Sequence, residues 1–217
     1  MVKIKEIFAS IQGEGPYVGY KQVFVRFCNC NLKCNYCDTD FADGVDYNSC
    51  ELADEVNKYV SVHSVSLTGG EPLLQVEFLK EFLPRVNKKI YLETNATLAE
   101  KFMEVKPFID IVSADIKLES ATGIKDTYKF HDKFFESCKG VETFAKIVFN
   151  NKITDEEIKK CCELGKKHAI ELILQPEMGA ENMLVSSEFC SEILDKFLEK
   201  YENVRLIPQV HKFLDVR

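Results

Sequence analysis

Residues 22–37 read Gln22-Val-Phe-Val-Arg-Phe27-Cys-Asn-Cys30-Asn-Leu-Lys-Cys34-Asn-Tyr-Cys37, a β-rich run that leads directly into a cysteine loop. Aromatic and β-branched residues predict a strand over Gln22–Phe27. A second run, Ser64-Val-Ser-Leu-Thr68, also predicts a strand and is followed by Gly69-Gly70-Glu71. Both segments therefore place unusual residues just after a strand, and this arrangement decides how the rest of the chain is interpreted.

Strand and helix patterns alternate as far as the carboxyl end. The further predicted strands are Lys89–Thr94, Ile109–Ser113, Thr143–Phe149, Ile170–Gln175 and Asn203–Pro208. Helical patterns lie at Cys50–Val60, Gln75–Val86, Ala96–Val105, Tyr128–Cys138, Thr154–His168 and Val185–Lys200. Thr154 followed by Glu157 has the form of a capping box. This alternation predicts parallel strands joined by helical crossovers, which is an α/β fold.

The chain length limits how far such a barrel can close. A complete eight-unit barrel needs about 250 residues, whereas this chain has 217. We therefore expect an incomplete TIM-like barrel of about six parallel β/α units. No repeat, low-complexity tract or linker interrupts the sequence, so residues 1–217 are interpreted as a single domain.

Charge and hydropathy restrict the partners. The formal net charge is -7, with acidic and basic residues mixed along the chain, whereas nucleic acids and anionic membranes bind basic surfaces. No apolar run approaches the roughly 20 residues of a membrane span, and the first residues lack the apolar core of a signal peptide. We therefore expect a cytoplasmic protein without a nucleic-acid or membrane partner.

The cysteines indicate a metal centre rather than disulfides. There are nine of them, an odd number, in a chain without an export signal. Soft thiolates spaced C-x3-C-x2-C suit an iron–sulfur cluster and leave one of four irons open, with the ligands Cys30, Cys34 and Cys37. The alternative is a structural zinc site, which needs a fourth ligand such as Cys28, Cys50 or His63. Cys28 lies just outside the triplet and is interpreted as a non-ligand.

The triplet, with Tyr36 before its last cysteine, resembles the signature of the radical S-adenosylmethionine (SAM) superfamily. That resemblance implies a 4Fe–4S cluster whose open iron binds SAM, and a 5′-deoxyadenosyl radical that takes a hydrogen atom from the substrate. Leu67-Thr-Gly-Gly-Glu-Pro72 resembles the Gly-Gly-Glu motif of the superfamily, in which Gly70 admits the SAM ammonium group and Glu71 adds a carboxylate. An electron-transfer or structural protein is the non-enzymatic alternative, and its cluster would need a fourth cysteine.

Polar segments follow three more of the predicted strands. They are Glu93-Thr-Asn95, Ser113-Ala-Asp-Ile-Lys117 and Gln175-Pro-Glu-Met178. Because functional groups of parallel barrels collect at the carboxyl ends of strands, these segments are candidates for binding the ribose, carboxylate and adenine of SAM. Each segment by itself also has a plainer interpretation as turn chemistry.

Two further regions indicate which family within the superfamily the chain resembles. They are Glu6-Ile-Phe-Ala-Ser-Ile11-Gln12-Gly13-Glu14-Gly15-Pro16 with Phe24-Val-Arg26, and the carboxyl end Pro208-Gln-Val-His-Lys-Phe-Leu-Asp-Val-Arg217. Together with Cys37-Asp38-Thr39 they resemble the 7-carboxy-7-deazaguanine synthase family along nearly the whole chain. The resemblance implies a carbon–nitrogen lyase that converts 6-carboxy-5,6,7,8-tetrahydropterin to 7-carboxy-7-deazaguanine with loss of ammonia. This reaction lies in the pathway to queuosine and other 7-deazapurines.

Carried over residue by residue, the resemblance implies two sets of ligand contacts. The pterin would contact Ile11, Gln12, Gly13, Glu14, Arg26 and Thr68, with Arg26 on its carboxylate and the chain terminus at Arg217 within reach. SAM would contact Tyr36, Cys37, Asp38, Gly70, Glu71, Ser113, Asp115, Lys117, Gln175, Pro176, Glu177 and Met178. Thr39 matches the position of a Mg²⁺ ligand, where the ion would keep waters and bind substrate oxygens. His211 matches a family position, and a lone histidine is more often structural.

Two segments depart from the family pattern. Cys28-Asn29 replaces the small residue and glycine that usually precede the first cysteine, and Ser113–Lys117 is unlike the shorter Ser-Pro-Lys form of some members. The family implies a homodimer and a flavodoxin or ferredoxin as electron donor. An activase that makes a glycyl radical on a partner protein is the alternative within the superfamily, and it has no need of a pterin site.

Overall fold

Nine strands form one sheet in the computed structural model, which describes residues 1–37, 43–179 and 182–216. They are β1 (Val2–Ile11), β2 (Lys21–Phe27), β3 (Val45–Tyr47), β4 (Ser64–Gly69), β5 (Lys89–Thr94), β6 (Ile111–Asp115), β7 (Glu142–Phe149), β8 (Glu171–Pro176) and β9 (Val204–Leu206). The order across the sheet is β3-β1-β2-β4-β5-β6-β7-β8-β9. From β2 through β9 the neighbours in this order are parallel, whereas β1 is antiparallel to both β2 and β3.

The seven parallel strands are the seven that the sequence predicts. In the described part of the chain, β3 and β9 lie at opposite edges of the sheet and do not pair with each other. The sheet therefore stays open, and the prediction of an incomplete α/β barrel is confirmed.

Helices cover the outer face of the sheet. They are α1 (Ser49–Asn57), α2 (Val76–Phe82), α3 (Ala99–Val105), α4 (Glu119–Thr122), α5 (Tyr128–Ser137), α6 (Asp155–His168) and α7 (Ser187–Leu198). A further short helix, α8 (Val210–Phe213), lies instead against the loop after β1. The predicted end of α2 is too long, because Pro84 cannot donate the next backbone hydrogen bond and a short 3-10 turn follows. The predicted end of α3 at Val105 is confirmed, whereas α3 begins three residues later than predicted, at Ala99. Within the described ranges, no helix has both the length and the apolar character needed to cross a membrane.

The start of α6 confirms the predicted capping box. The Thr154 hydroxyl oxygen accepts the backbone N–H of Glu157 at 3.2 Å, and the Glu157 carboxylate accepts the backbone N–H of Thr154 at 2.9 Å. Two backbone donors that α6 itself cannot satisfy are thereby paired.

The sequence patterns do not predict four of the elements: strands β1 and β3 and the short helices α4 and α8. Val2-Lys3-Ile4-Lys5 alternates, but Glu6 stands where an apolar residue would continue the pattern, and the register with β2 shifts between Ile4 and Glu6. The position of β1 depends instead on pairing with β2, in which Glu6 lies opposite Arg26. That pairing connects residues 20 apart and is not visible in a local window.

Alternate residues of the parallel strands face the inside of the curved sheet. Near the amino ends of the strands, four large inward side chains form a small core of their own: Tyr91, Ile111, Phe144 and Ile173. The same alternation brings polar side chains inward nearer the carboxyl ends, namely Glu93, Ser113, Asp115, Lys146 and Gln175. An apolar floor therefore supports a polar mouth, while the opposite face of the sheet packs beneath the helices in the main core.

Candidate active site

One cleft crosses the carboxyl ends of the parallel strands and consists of three adjoining cavities. The cysteine cavity is lined by the cysteine loop and Asn95, the central cavity by residues 175–179 of the β8 end, and the amino-terminal cavity by residues 11–14 and Arg26. Tyr36 and Asp115 line both the cysteine and central cavities, and Glu14 lines both the central and amino-terminal cavities. The polar strand ends that the sequence places at one mouth do lie together.

The three cysteines of the predicted triplet line the cysteine cavity. Burial raises the pKa of the Cys30 and Cys34 thiols, so that a bound cation would be needed to favour their thiolates. The Sγ atom of Cys30 accepts the backbone N–H of Leu32 at 3.4 Å and the Nδ2–H of Asn95 at 3.7 Å. Such donors are found around cluster thiolates, where they tune the reduction potential, so the loop suits an iron–sulfur cluster.

A mononuclear zinc site suits the loop less well. Among the described residues, no three or more His, Cys, Asp and Glu side chains converge as they would around a single ion. Zinc would need a fourth protein ligand, and none of the three candidates for it lines the cysteine cavity. His63 lies before β4 at the other end of the sheet, 4.4 Å from Tyr20 between ring centroids. Cys28 is buried beneath Gly44, and Cys50 is exposed at the start of α1.

Gly70 lies where the loop after β4 touches the cysteine loop. Its N–H donates to the Phe27 carbonyl at 2.9 Å, and the N–H of Glu71 donates to the Asn29 carbonyl at 2.9 Å. A Cβ at position 70 would lie 1.7 Å from that Asn29 oxygen. Asn29 has φ of 71°, a left-handed conformation that asparagine tolerates, so it takes the place of the glycine usual in the family. The cysteine loop thus requires glycine at position 70, and its approach to SAM stays a prediction.

Glu71 is fully buried and its carboxylate is surrounded by protein donors. It accepts the backbone N–H groups of Leu73 at 3.1 Å and Asn95 at 2.8 Å, and the Thr94 hydroxyl at 2.9 Å. Burial raises its pKa to about 7 in spite of these donors. The side chain therefore ties the loop after β4 to the end of β5. A contact with SAM, as the sequence predicts, would be additional to this structural role.

Lys117 joins the end of β6 to the cysteine loop. Its Nζ donates to Asp115 Oδ2 at 2.8 Å and to the Tyr36 hydroxyl at 3.0 Å, and it lies 5.4 Å from the centroid of the Tyr36 ring. Burial opposes ionisation of Asp115, but Lys117 and Lys146 outweigh it and lower the pKa of this carboxyl. Asp115 is therefore an ionised acceptor on the wall shared by two cavities.

A buried histidine of α5 holds Lys117 from below. His131 Nε2 accepts the backbone N–H of Lys117 at 3.0 Å, so Nδ1 carries the proton and donates to the Ala96 carbonyl at 3.2 Å. The Thr127 hydroxyl donates to the Lys117 carbonyl at 2.8 Å. Burial lowers the pKa of His131 to about 4, which keeps the imidazole neutral near pH 7. Both backbone groups of Lys117 are therefore fixed by buried side chains.

The central cavity is large enough for a cofactor. Its volume is about 600 Å³, within the roughly 300–1,000 Å³ typical of small-molecule sites. Gln175 Oε1 is buried there and has no hydrogen-bond partner among the described residues. An unpaired buried acceptor at a cavity wall suits a ligand that carries hydroxyl or amino donors, as SAM does. Glu177 lies beside it and accepts the side-chain N–H of Asn150 at 2.8 Å.

Gln12 organises the amino-terminal cavity. Its amide nitrogen donates to Gln22 Oε1 and to Glu93 Oε1, each at 3.0 Å, and its amide oxygen accepts the backbone N–H of Glu14 at 3.0 Å. The Thr68 hydroxyl donates to the other Glu93 oxygen at 2.7 Å. Gln12 is nearly fully buried, so it orients the carboxylates of this cavity and contributes little free surface.

Arg26 lies on β2 at the mouth of the same cavity. Its Nε donates to Glu6 Oε1 at 2.7 Å across the β1–β2 pair, and both side chains are about one-quarter exposed. Phe8 and Phe24, an opposed pair on the same strands, stack with centroids 5.2 Å apart and line the cavity beside Arg26. The cavity therefore has one cationic and one aromatic wall.

Glu14 lies between the central and amino-terminal cavities and is held from several sides. One carboxylate oxygen accepts the side-chain N–H groups of Gln209 at 2.6 Å and Gln175 at 3.3 Å, and the other forms an ion pair with Lys146. Burial opposes ionisation, but Lys146 outweighs it and lowers the pKa of Glu14 to about 2. Glu14 is thus a fixed anion at the centre of the cleft.

Helix α8 covers the loop that carries Glu14. The backbone N–H of Val210 donates to the Gly13 carbonyl at 2.8 Å, and a Cβ on Gly13 would lie 2.3 Å from His211 Nδ1. Lys212 donates to the Gly179 carbonyl at 3.1 Å, on the far side of the cleft. The carboxyl-terminal segment therefore bridges the amino-terminal and central cavities.

Known proteins match this chain along most of its length. The model of the radical SAM superfamily matches residues 24–174. A 7-carboxy-7-deazaguanine synthase of Geobacter sulfurreducens is 35% identical over 98% of this chain and 96% of its own length. One of Archaeoglobus fulgidus is 36% identical over 98% and 97%. The chain belongs to the radical SAM superfamily and to its 7-carboxy-7-deazaguanine synthase family. Membership of the superfamily implies a 4Fe–4S cluster and SAM as cofactors.

Solved structures agree with the radical SAM fold. The crystal structure of QueE from Escherichia coli has a TM-score of 0.66 at 18% identity, over 97% of this chain and 94% of that one. A radical SAM methyltransferase from Sphaerobacter thermophilus has a TM-score of 0.64 at 10% identity, over 94% and 77%. At these identities the likeness shows the fold alone, which is the open barrel described above.

Most of the predicted ligand contacts of this radical SAM protein lie along the cleft. Around its cavities are Ile11, Gln12, Gly13, Glu14, Arg26, Tyr36, Cys37, Thr68, Gly70, Asp115, Lys117, Gln175, Pro176, Glu177 and Met178. Glu71 and Ser113 are buried behind its walls. Asp38, Thr39 and Arg217 lie outside the described residues, so their predicted roles are not tested.

Sequence reasoning overlooked several polar side chains of this radical SAM cleft, above all Lys146. It stands at an inward position of β7, whose sequence Thr143-Phe-Ala-Lys146-Ile-Val-Phe149 is otherwise mostly apolar. A single lysine at an inward position of a buried strand is the signal that would have found it. Gln209 was also overlooked, whereas Glu93 and Asn95, which the sequence places in a candidate segment, do line the cleft.

Proposed function

We propose that this chain converts 6-carboxy-5,6,7,8-tetrahydropterin to 7-carboxy-7-deazaguanine with loss of ammonia, as a carbon–nitrogen lyase in the pathway to queuosine and other 7-deazapurines. The observation that carries the proposal is a single cleft in which one cavity is lined by three cysteines and another by Arg26 and Glu14. The family to which the chain belongs, whose members match almost its whole length, supports the same conclusion.

The proposed reaction balances without a further reactant. Substrate and product differ by one molecule of ammonia, so the ring contraction involves no net oxidation. When bound, the cluster and SAM supply the one-electron chemistry that starts a turnover, and SAM is regenerated at its end. The residues of the chain bind, orient and shield the reacting groups.

At the amino-terminal cavity the charges suit a carboxylated pterin. Glu6 holds the Nε of Arg26 and thereby aims the terminal N–H groups of the guanidinium, whose planar fork matches a carboxylate. Gln12 and Thr68 orient the carboxylate of Glu93. This carboxylate and that of Glu14 supply acceptors for the amino and ring N–H groups of the pterin. The stacked Phe8 and Phe24 offer a flat apolar wall.

At the other end of the cleft the residues suit the cluster and SAM. Cys30, Cys34 and Cys37 would hold the cluster, a set of three that leaves one iron free. Asp115 and the unpaired Gln175 oxygen would accept hydrogen bonds from SAM. Tyr36, beneath the Lys117 ammonium group, closes the wall between the cysteine and central cavities.

Further expectations belong to the same proposal. We expect Mg²⁺ at Thr39, where the ion would keep waters and bind oxygens of the substrate. We also expect a homodimer, a flavodoxin or ferredoxin as electron donor, a cytoplasmic location and one domain over residues 1–217. Family resemblance supports the dimer, the donor and the ion.

The experiment is an anaerobic turnover with product analysis. The reconstituted protein receives SAM, a strong reductant, Mg²⁺ and the pterin, and mass spectrometry measures 7-carboxy-7-deazaguanine. Cys34→Ala is expected to abolish product and lower the iron content. Cys50→Ala, which changes an exposed cysteine on α1, is the matched control and is expected to behave as the unaltered protein.

The outcomes separate the levels of the proposal. Cleavage of SAM without formation of a deazapurine would remove the pterin assignment and favour an activase that acts on a partner protein. Product formed at an unchanged rate after Mg²⁺ is removed would contradict the role of Thr39.

A further inference from the structure

A buried ammonium group lies in the wall of the central cavity and takes no part in the proposed ligand contacts. Lys146 is on β7, and its side chain is 7% exposed. Its Nζ pairs with Glu14 and lies 3.4 Å from Asp115 Oδ1. Lys146 therefore connects an anion on the loop after β1 with an anion at the end of β6.

The apolar surroundings of Lys146 make burial of its charge energetically unfavourable. The apolar floor, with Phe144 two residues earlier on the same strand, lies below it. Taking an ammonium group out of water is unfavourable unless paired carboxylates and good geometry compensate for it. An apolar side chain would fill this inward position of β7 more readily, so the lysine indicates a requirement other than packing.

Its two carboxylate partners share the central cavity, and each also lines one further cavity. Glu14 lines the central and amino-terminal cavities, and Asp115 lines the central and cysteine cavities. Lys146 also lines the central cavity, between them. A shift of either carboxylate would thus be transmitted to the other through one ammonium group.

The charge state of Glu14 depends on this arrangement. Burial raises its pKa, and Lys146 is the largest influence that lowers it, followed by the hydrogen bond from Gln209 and the nearby His211. Other charged or titratable groups also face this cluster: Asp115, Tyr91, Glu93 and Lys212. Without Lys146, burial and the neighbouring carboxylates would together favour the protonated form of Glu14.

We propose that Lys146 is a positioning residue that couples the two ends of the cleft. Its ammonium group holds Glu14 and Asp115 in place as ionised acceptors, the first for N–H groups of the substrate and the second for donors of the cofactor. The identity of these ligands rests on the proposed function, whereas the coupling of the two carboxylates does not.

The test compares Lys146→Met with Lys146→Arg, which keeps the charge, and with Lys159→Met as a matched control on the exposed side of α6. Isotope-edited infrared titration of glutamate carboxyls, with Glu14→Gln for assignment, follows Glu14 in the cluster-loaded protein. We expect the titration midpoint of Glu14 to rise by roughly 2–4 pH units in Lys146→Met and to stay low in the other two variants.

Turnover gives a second measurement. The kcat/KM for the pterin in Lys146→Met is expected to fall as pH is lowered, with an acidic limb that the unaltered protein, Lys146→Arg and Lys159→Met lack. In a Glu14→Gln background the same Lys146→Met change is expected to lower kcat/KM much less, because the two residues act as one unit.

Several results would overturn the proposal. The proposal is wrong if Glu14 titrates in Lys146→Met as it does in the unaltered protein. It is also wrong if Lys146→Met and Glu14→Gln have fully additive effects on kcat/KM. If Lys146→Met does not fold, a raised Glu14 midpoint in the folded Lys146→Arg variant would overturn it instead. If the unaltered protein forms no deazapurine, the proposed function is wrong. The infrared titration needs no substrate, so it still tests the role of Lys146.

Discussion

Replacement of Gly70 by alanine tests whether the loop after β4 sets the position of the cysteine loop. The new Cβ would lie 1.7 Å from the Asn29 carbonyl oxygen, so that backbone must retreat by more than 1 Å to reach an ordinary contact. The shift would break or stretch two backbone hydrogen bonds, both 2.9 Å long, that join the loops. At about 0.5–1.5 kcal/mol each, their loss costs about 1–3 kcal/mol. For a chain of this size the Tm should therefore fall by roughly 2–12 °C.

The assay combines thermal unfolding with iron content and SAM affinity. Gly140→Ala is the control: its φ of 85° makes alanine strained, but no atom lies within 4 Å of the new Cβ. It is expected to cost about 1–2 kcal/mol without loss of iron. Gly70→Ala should lose both stability and cluster. A Gly70→Ala protein with full iron content, normal SAM affinity and an unchanged Tm would refute the argument.

Three further predictions concern the walls of the cleft. Arg26→Lys should raise KM for the pterin about tenfold and leave SAM affinity unchanged, because an ammonium group cannot pair with a carboxylate through two hydrogen bonds. Unchanged steady-state kinetics would contradict that contact. His131→Phe should weaken SAM binding about tenfold by leaving the Lys117 N–H unpaired, and His131→Gln should recover part of it; equal losses in a binding titration would indicate a packing role only. The lowered pKa of Glu14 stabilises the folded protein above the ordinary value of 4.5, and this contribution is lost as pH falls toward about 2. Glu14→Gln should therefore flatten the acid limb of the unfolding free energy, and an unaltered limb would disprove the linkage.

Local patterns predicted the parallel strands well, because buried crossover strands are short runs of β-branched and aromatic residues. Val23 and Val25 on β2, for example, are fully buried and β-branched. Local patterns failed at β1, where Glu6 breaks the alternation and the strand depends on its partner β2. The predicted end of α2 was wrong because the chain continues as a 3-10 turn at Pro84, and the predicted start of α3 was three residues too early.

The predicted site was recovered unevenly for a related reason. Cys30, Cys34, Tyr36 and Cys37 are close in sequence, so their spacing alone placed them around one cavity. Glu71 was recognised as part of a motif, but its motif does not reveal that Thr94 and Asn95 surround its carboxylate. The position of such a residue in the sequence does not reveal which groups will donate hydrogen bonds to it.

The order of residues along the chain by itself determined the kind of chemistry and the α/β architecture. Both are encoded locally, in the C-x3-C-x2-C spacing and in strand and helix periodicity. Only the tertiary structure decided that Lys146 pairs with Glu14, 132 residues away, and with Asp115 on the neighbouring strand. Such pairings follow from the register between strands and from which alternate residues face inward. No local window contains this information, since it arises only when the whole sheet has curved around its apolar floor.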